Sequence, residues 1–471
     1  MAEEKEEGGL FGELAQQEVP GGDRGLPRYI EAKRDAIVFE RFEFDALVGA
    51  AHAARAIWAY VEQVDLSELY RQIKARAHRP GRPAADPRVM LALWLYACVE
   101  GVGSARQLER LTEMHHGFRW LRGGVPMNHH LLSDFRWAAS ALVDRLLTEG
   151  VTALWSEGLV TLASLSHDGI RIRAAAGAAS FRRLATLERL LGEVEERIAR
   201  LKQEIDADPD ASNRRQRAAQ QRAVVEQRAV VEQRERVAAA LAAVRRLQAQ
   251  HATAEPSRKP DGSGPRGGAP AHGKAKARTK KEPRGSTTDV EAHVMRMPDG
   301  GWRPAYNVRL TADLDTGIIV GLSVDTTGSD GGLMAPAAEQ VERRYAHRPQ
   351  RWLGDGGFTV LDDIVALARK SITVFCPPKP RRNPDNDLVK PRYGDPPEIA
   401  DWRRRMVDDA AAGETSWMRR RGEHERVNAN FRHQGLYQFN VRGSFKVKTV
   451  SLLHALANNI MAARRLRAAA A

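Results

Sequence analysis

Three acidic residues stand where packing alone rarely calls for a carboxylate. Asp168 is the second residue of HDGIRIR, which follows the apolar run LVTLASLS. Asp355 ends RWLGD ahead of Gly356-Gly357, and Glu425 lies in the arginine-rich stretch RRRGEHERVNANFRHQGL. The two glycines after Asp355 let the backbone turn sharply and expose its side chain. Strand-end carboxylates joined by one from a nearby helix would suit a pair of Mg²⁺ ions, which take oxygen ligands and share phosphate oxygens. Two such ions roughly 4 Å apart activate a water or hydroxyl on one side and stabilise a leaving oxygen on the other. An Asp-Gly pair is also an ordinary turn, and Asp168 could instead cap the next segment of the chain. Residue type leaves both readings open.

Arginines surround two of the three acids: Arg171 and Arg173 beside Asp168, and Arg420, Arg421, Arg426 and Arg432 around Glu425. Guanidinium forks match phosphate oxygens and would position a nucleic acid without reading its sequence. The plainer alternative is a solvated basic helix face. Asp362-Asp363 fall where acids favour the start of a helix. Asp289, Glu291 and Asp299 flank the start of a strand, and Asp330 reads as a helix cap and the best substitute ligand. The pairs His115-His116 and His129-His130 are adjacent rather than one helical turn apart, so they form no metal clamp, and packing or DNA contact suits them better. DGGW and GDGGF lack a phosphate-loop pattern.

The elements that must carry these residues are a helical part and a mixed α/β part. The chain has 471 residues, 42% of them hydrophobic, enough for two or three domains. Its net charge of +13 points to a polyanionic partner, nucleic acid first, with ribosomal or membrane-surface roles as rivals. The two cysteines, Cys98 and Cys376, have no metal-ligand spacing and argue for a reducing, cytoplasmic setting. The start carries no targeting pattern, and no apolar run approaches the roughly 18 residues needed to span a bilayer.

Residues 1–43 read as a mobile N-terminal segment, and 44–150 as a helical DNA-binding domain with Asp86-Pro87 and Ser104 as helix starts. Residues 181–250 read as a long helical insertion arm that includes the tandem repeat RAVVEQRAVVEQ. A hexad does not keep one helix face in register, so no regular coiled coil is expected. Residues 251–285, with nine Lys/Arg against three Asp/Glu, form a basic flexible linker. Residues 151–180 and 286–471 form an α/β region: one strand before the arm, the hairpin YNVRLTAD/GIIVGLSVD after it, then strands alternating with helices.

Taken together, HDGIRIRAAAGAASFRR, STTDVEAHVMRMPDGGWRPAYNV, GDGGF and ERVNANFRHQGLYQFNVRGSFKVKTVSLLHALANNI resemble the DDE transposases of bacterial insertion sequences. The likeness is to insertion-sequence group eleven-eighty-two, which carries a long insert after the first catalytic strand. It extends from Phe44 to the C-terminus. The resemblance implies an RNase H-like mixed sheet with flanking helices, in which Asp168, Asp355 and Glu425 hold two Mg²⁺ (Mn²⁺ as substitute) for DNA cleavage and strand transfer. It implies double-stranded DNA, element ends and target, as partner, and a homodimer or higher oligomer on that DNA. It also implies a nucleoid-associated protein with no membrane role. In the family a tyrosine and an arginine precede the glutamate, and a basic residue comes seven positions after it. That basic residue is Arg432 here, and the arginine is Arg420 or Arg421. The tyrosine place accordingly falls on Trp417 or Met418, a departure that raises the alternative of a catalytically decayed transposase acting as a DNA-binding repressor.

Overall fold

The computed structural model describes residues 43–75, 83–206, 214–253, 282–378 and 392–470. The N-terminal segment 1–43 and the linker 251–285 lie almost wholly outside the described residues. Among the described residues, seven α-helices precede the first strand: α1 (Ala53–Gln63), α2 (Ser67–Gln72), α3 (Pro87–Val99), α4 (Ala105–Met114), α5 (His116–Arg122), α6 (His129–Ala138) and α7 (Ser140–Ser156). Their starts follow local chemistry. Asp86 accepts from Arg88 N at 2.8 Å with Pro87 opening α3, and Asn128 accepts from Leu131 N at 2.9 Å to cap α6. Ser104 caps α4 more loosely, at 3.4 Å from Gln107 N.

The strands are β1 (Ser164–Arg173), the short β2 (Phe181–Arg182) and β3 (Gly285–Ser286), β4 (His293–Arg296), β5 (Trp302–Asp313), β6 (Ile319–Asp325), β7 (Arg351–Gly354) and β8 (Thr373–Phe375). Helices α8 (Leu184–Asp206) and α9 (Arg214–Thr253) fall between β2 and β3. After β6 come α10 (Met334–Tyr345), α11 (Leu361–Arg369), α12 (Pro397–Ala411), α13 (Trp417–Arg420), α14 (Glu423–His433) and α15 (Ser444–Ala470). The main sheet runs β4-β5-β1-β7-β8, with β6 sharing the outer edge of β5 with β4. β5 pairs antiparallel with β1, β4 and β6, whereas β1, β7 and β8 are parallel. This is a mixed sheet with helices on both faces.

One register decides where the site lies. β5 pairs with β1 from Leu165 to Arg173, but β7 covers only Ser164 to His167. The strand expected to end at Asp168 therefore continues past it to Arg173. The alternation Ile170-Arg171-Ile172-Arg173 keeps the strand pattern going, with both isoleucines buried and β5 as partner. One apolar cluster joins Ile170, Ile172, Val308 and Leu310 to Phe431 of α14, Leu456 of α15 and the N-terminal helices. A second, with Leu165, Val320, Trp352 and Phe358, packs under α10, α11 and α12.

The arm is an antiparallel pair, with Leu187, Val194, Ile198 and Leu201 of α8 meeting Val230, Val237, Leu241 and Val244 of α9. The six-residue repeat drifts around the helix as its period requires. Val224 is 37% exposed, whereas Val230, its equivalent in the next repeat, is buried.

Candidate active site around Asp168

Asp168 lies one residue beyond the last residue of β1 that β7 covers, so the strand edge beside it is open. β7 itself stops at Gly354, and Asp355 follows at once. Asp355 Oδ1 accepts from Gly357 N at 2.8 Å, closing a tight turn. A Cβ on Gly357 would stand 2.8 Å from that oxygen, so a larger residue there would displace the Asp355 carboxylate.

Asp168 Oδ1 accepts from Gly169 N at 2.8 Å, and its Oδ2 accepts from Asn428 Nδ2 at 3.0 Å. Arg421 Nη1 stands 4.0 Å from Oδ2. Burial pushes the Asp168 carboxyl up to about 6. The Gly169 hydrogen bond and Arg421 oppose the rise, while the charges of Asp355 and Asp330 add to it. Those charges act on Asp168 because the three carboxylates are neighbours.

Asp330 was expected to cap a helix. Instead, Asp363 Oδ2 accepts from Met334 N at 3.0 Å at the start of α10. Asp330 Oδ1 accepts from Asn307 Nδ2 at 2.7 Å and lies 3.5 Å from Nε of the buried Arg309. Arg171 Nη2 is 3.8 Å from Asp330 Oδ2, and Arg171 Nη1 donates to Arg296 O at 2.7 Å. Arg171 is thus committed to protein partners, whereas Arg173 is exposed at the end of β1.

Helix α14 brings the third group of residues. It is fixed to β1 by a 2.6 Å hydrogen bond between Ser166 Oγ and His424 Nδ1. Burial drives the His424 imidazole down to about 3, so it is neutral. Arg421 and Gly422 already carry helical angles (φ −53°, ψ −28° and φ −52°, ψ −25°), so helical spacing runs through them. Arg421, Glu425, Asn428 and Arg432 therefore share one side. Arg421 and Asn428 both reach Asp168, and Glu425 lies between them on that side, exposed to solvent. Asp355 is near enough to Asp168 for its charge to act there, while Glu425 is exposed on the side of α14 that carries Arg421 and Asn428. Among the described residues, no three of His, Cys, Asp or Glu stand close enough to hold a metal ion as placed.

Direction separates the two arginines. Arg420 pairs with Asp315 and lies over the Trp417 ring at 4.6 Å, whereas Arg421 faces Asp168. Met418 packs against Leu314, Leu353 and Phe375. Trp417 is held between Arg420 and Arg351, the latter 4.4 Å from its ring. Arg426 stands 3.8 Å from Glu423, and Arg432 is exposed.

The remaining candidates serve structure. Asp289 accepts from Tyr306 Oη at 2.8 Å and from Gly443 N at 3.2 Å, and Glu291 accepts from Ser444 N at 3.0 Å, so both hold the start of α15. Asp299 closes the β4–β5 turn by accepting from Gly301 N at 3.0 Å. His115 packs against Tyr96 and Phe118, and His129 bonds Glu109 at 2.8 Å. Asn307 and Asn428 do not stand out in the sequence, because a neutral amide leaves no charge or spacing signal.

Residues 42–137 match the family model described as Transposase domain (DUF772). The matched stretch, α1 to α6, is similar to a transposase domain and stops short of all three acids. No curated protein and no solved structure matches the chain. Among the described residues, no helix is long and apolar enough to cross a membrane.

Proposed function

We propose that this chain is the DNA transposase of an insertion sequence, which binds its element's terminal inverted repeats and cuts and joins DNA strands with Mg²⁺ or Mn²⁺. Asp168, Asp355 and Glu425 are the proposed metal ligands. The observation that carries the reading is the approach of Asp355 to Asp168 where β7 stops, beneath a helix that aims Arg421 at the same place. The sheet order supports an RNase H-like core: an antiparallel β6-β5-β1 meander continued by the parallel β7 and β8. The transposase-domain match at residues 42–137 supports DNA as the partner of the N-terminal helices. A basic chain, net +13, fits that partner, and joining two element ends calls for more than one copy on the DNA.

The donor set suits a hard divalent cation, since every candidate ligand is an oxygen and the buried Asn428 Oδ1 has no partner. Bound ions would supply Lewis acidity and an activated water or 3′-hydroxyl. The chain's own residues do the rest. Ser166 and His424 fix α14 against β1, and Arg421, with its Nε buried and unpartnered, is placed to take a phosphate oxygen. Asp168 and Asp355 repel one another and favour a positive ligand between them.

Asp355→Asn is expected to abolish Mg²⁺-dependent cleavage of DNA bearing the element ends while leaving end binding intact. Full cleavage by that variant would overturn the assignment. A second reading, a decayed transposase acting as repressor, is favoured by one observation: Met418, one of the two candidates for the tyrosine place, is packed away and has no hydroxyl. End binding by the wild-type chain without metal-stimulated nicking would support it.

A further inference from the structure

Asn428 is a neutral side chain at the centre of an acidic site. Its Nδ2 donates to Asp168 Oδ2 at 3.0 Å, while its Oδ1 is buried with no hydrogen-bond partner. The amide is oriented by that contact, because the reverse orientation would set an acceptor against a carboxylate oxygen. A buried carbonyl left unpaired is unfavourable unless a donor or cation reaches it. Asn459 shows the contrast: its Oδ1 accepts from Ile319 N at 2.8 Å and its Nδ2 donates to Ile319 O at 2.7 Å, so both ends serve the fold. Half of Asn428 serves nothing in the protein itself.

We infer that Asn428 is a metal-side residue of this centre, holding Asp168 through Nδ2 when no cation is bound and offering Oδ1 to the cation or its water when one is. The inference rests on the proposed metal-dependent function and adds to its three carboxylates an uncharged oxygen. Neutrality has a reason here, since Asp168 already feels both Asp355 and Asp330, and a further carboxylate would increase their repulsion. Rotation about one side-chain bond exchanges Nδ2 for Oδ1 at the same place, so the change needs no movement of α14.

The test is Mn²⁺ binding by titration calorimetry on the full-length protein, which does not depend on turnover. Asn428→Leu, similar in size but without oxygen, is expected to weaken Mn²⁺ binding about tenfold or more. Asn428→Asp, which keeps the oxygen, is expected to bind at least as tightly as the wild type. Thermal unfolding of each variant reports its folding, and Asn428→Ala replaces the leucine variant, with the same expectation, should that one not fold. Wild-type affinity in Asn428→Leu or Asn428→Ala, or equal weakening in Asn428→Asp, overturns the inference. Asp355→Asn separates this from the parent reading: if it loses Mn²⁺ while Asn428→Leu does not, the metal site stands without Asn428. Absence of Mn²⁺ binding by the wild type overturns both.

Discussion

Replacing Asp168 by asparagine is expected to stabilise the fold at neutral pH while ending catalysis. Burial and the neighbouring carboxylates raise its carboxyl from 3.8 to about 6, so the folded chain holds this proton more tightly than the unfolded chain. Between those values the native state carries more protons. Stability therefore falls as pH rises through that window, and the whole cost is present above it. A rise of about two units corresponds to roughly 3 kcal/mol. The side chain is only 19% exposed, so solvent trims this modestly, and Asp168→Asn should recover roughly 2–3 kcal/mol at pH 7.5. Hydrogen bonding need not suffer, because an asparagine keeps one acceptor and its new amide can donate to the orphaned Asn428 Oδ1 once that side chain turns. At pH 4 the folded carboxyl is already protonated, and the gain should fall below about 1 kcal/mol. Urea unfolding of wild type and Asp168→Asn in EDTA, at pH 7.5 and pH 4, measures both. The chelator matters because a bound cation would stabilise only the wild type. Equal stabilities at pH 7.5, or the same gain at both pH values, would show that charge burial at Asp168 is not what the geometry implies.

The other expectations separate residues that the sequence could not tell apart. Arg421→Ala should lower strand cleavage by ~100-fold, whereas Arg420→Ala, whose guanidinium is spent on Asp315 and Trp417, should change it far less. Similar losses in the two variants, measured on the same nicked-DNA gel, would remove the directional argument. Glu425→Gln should abolish cleavage yet shift unfolding by no more than about 0.5 kcal/mol, because the side chain is exposed. Cleavage at the wild-type rate would strike Glu425 from the ligands and leave Asp330 as the carboxylate to test.

What was legible in the sequence was local. Asp86-Pro87 announced α3 because a cap and its helix are neighbours in the chain. The turn at Asp355 was readable because it is made by the next two glycines. Asp168 was misplaced at a strand end because the length of β1 is set by β5, which pairs with it from Arg173↔Ala305 to Leu165↔Asp313 across the whole insertion. Arg420 and Arg421 could not be separated, since one residue of helix turns a side chain by about 100° and only tertiary placement selects a direction. Asp330 looked like a cap because helix α10 follows it closely. That helix is satisfied instead by Asp363, a residue 29 positions away from Met334 in sequence.

The insertion is tolerated because of how it enters. The chain leaves and returns through a ribbon of two residue pairs, Phe181↔Ser286 and Arg182↔Gly285, tightened by Ser180 Oγ and Ser286 Oγ at 2.8 Å. Gly285 must lack a side chain, since a Cβ there would stand 2.7 Å from Ala240 O of the arm. Immediately beyond, Asp289 bonds Tyr306 on β5, and Tyr306 is the register partner of Ile172 on β1. The return segment is thereby tied to β1 within a few residues of the ribbon. The position of Asp168 then follows from two pairings, the long one with β5 that carries β1 past it and the short one with β7 that stops before it. Neither depends on how far the arm extends.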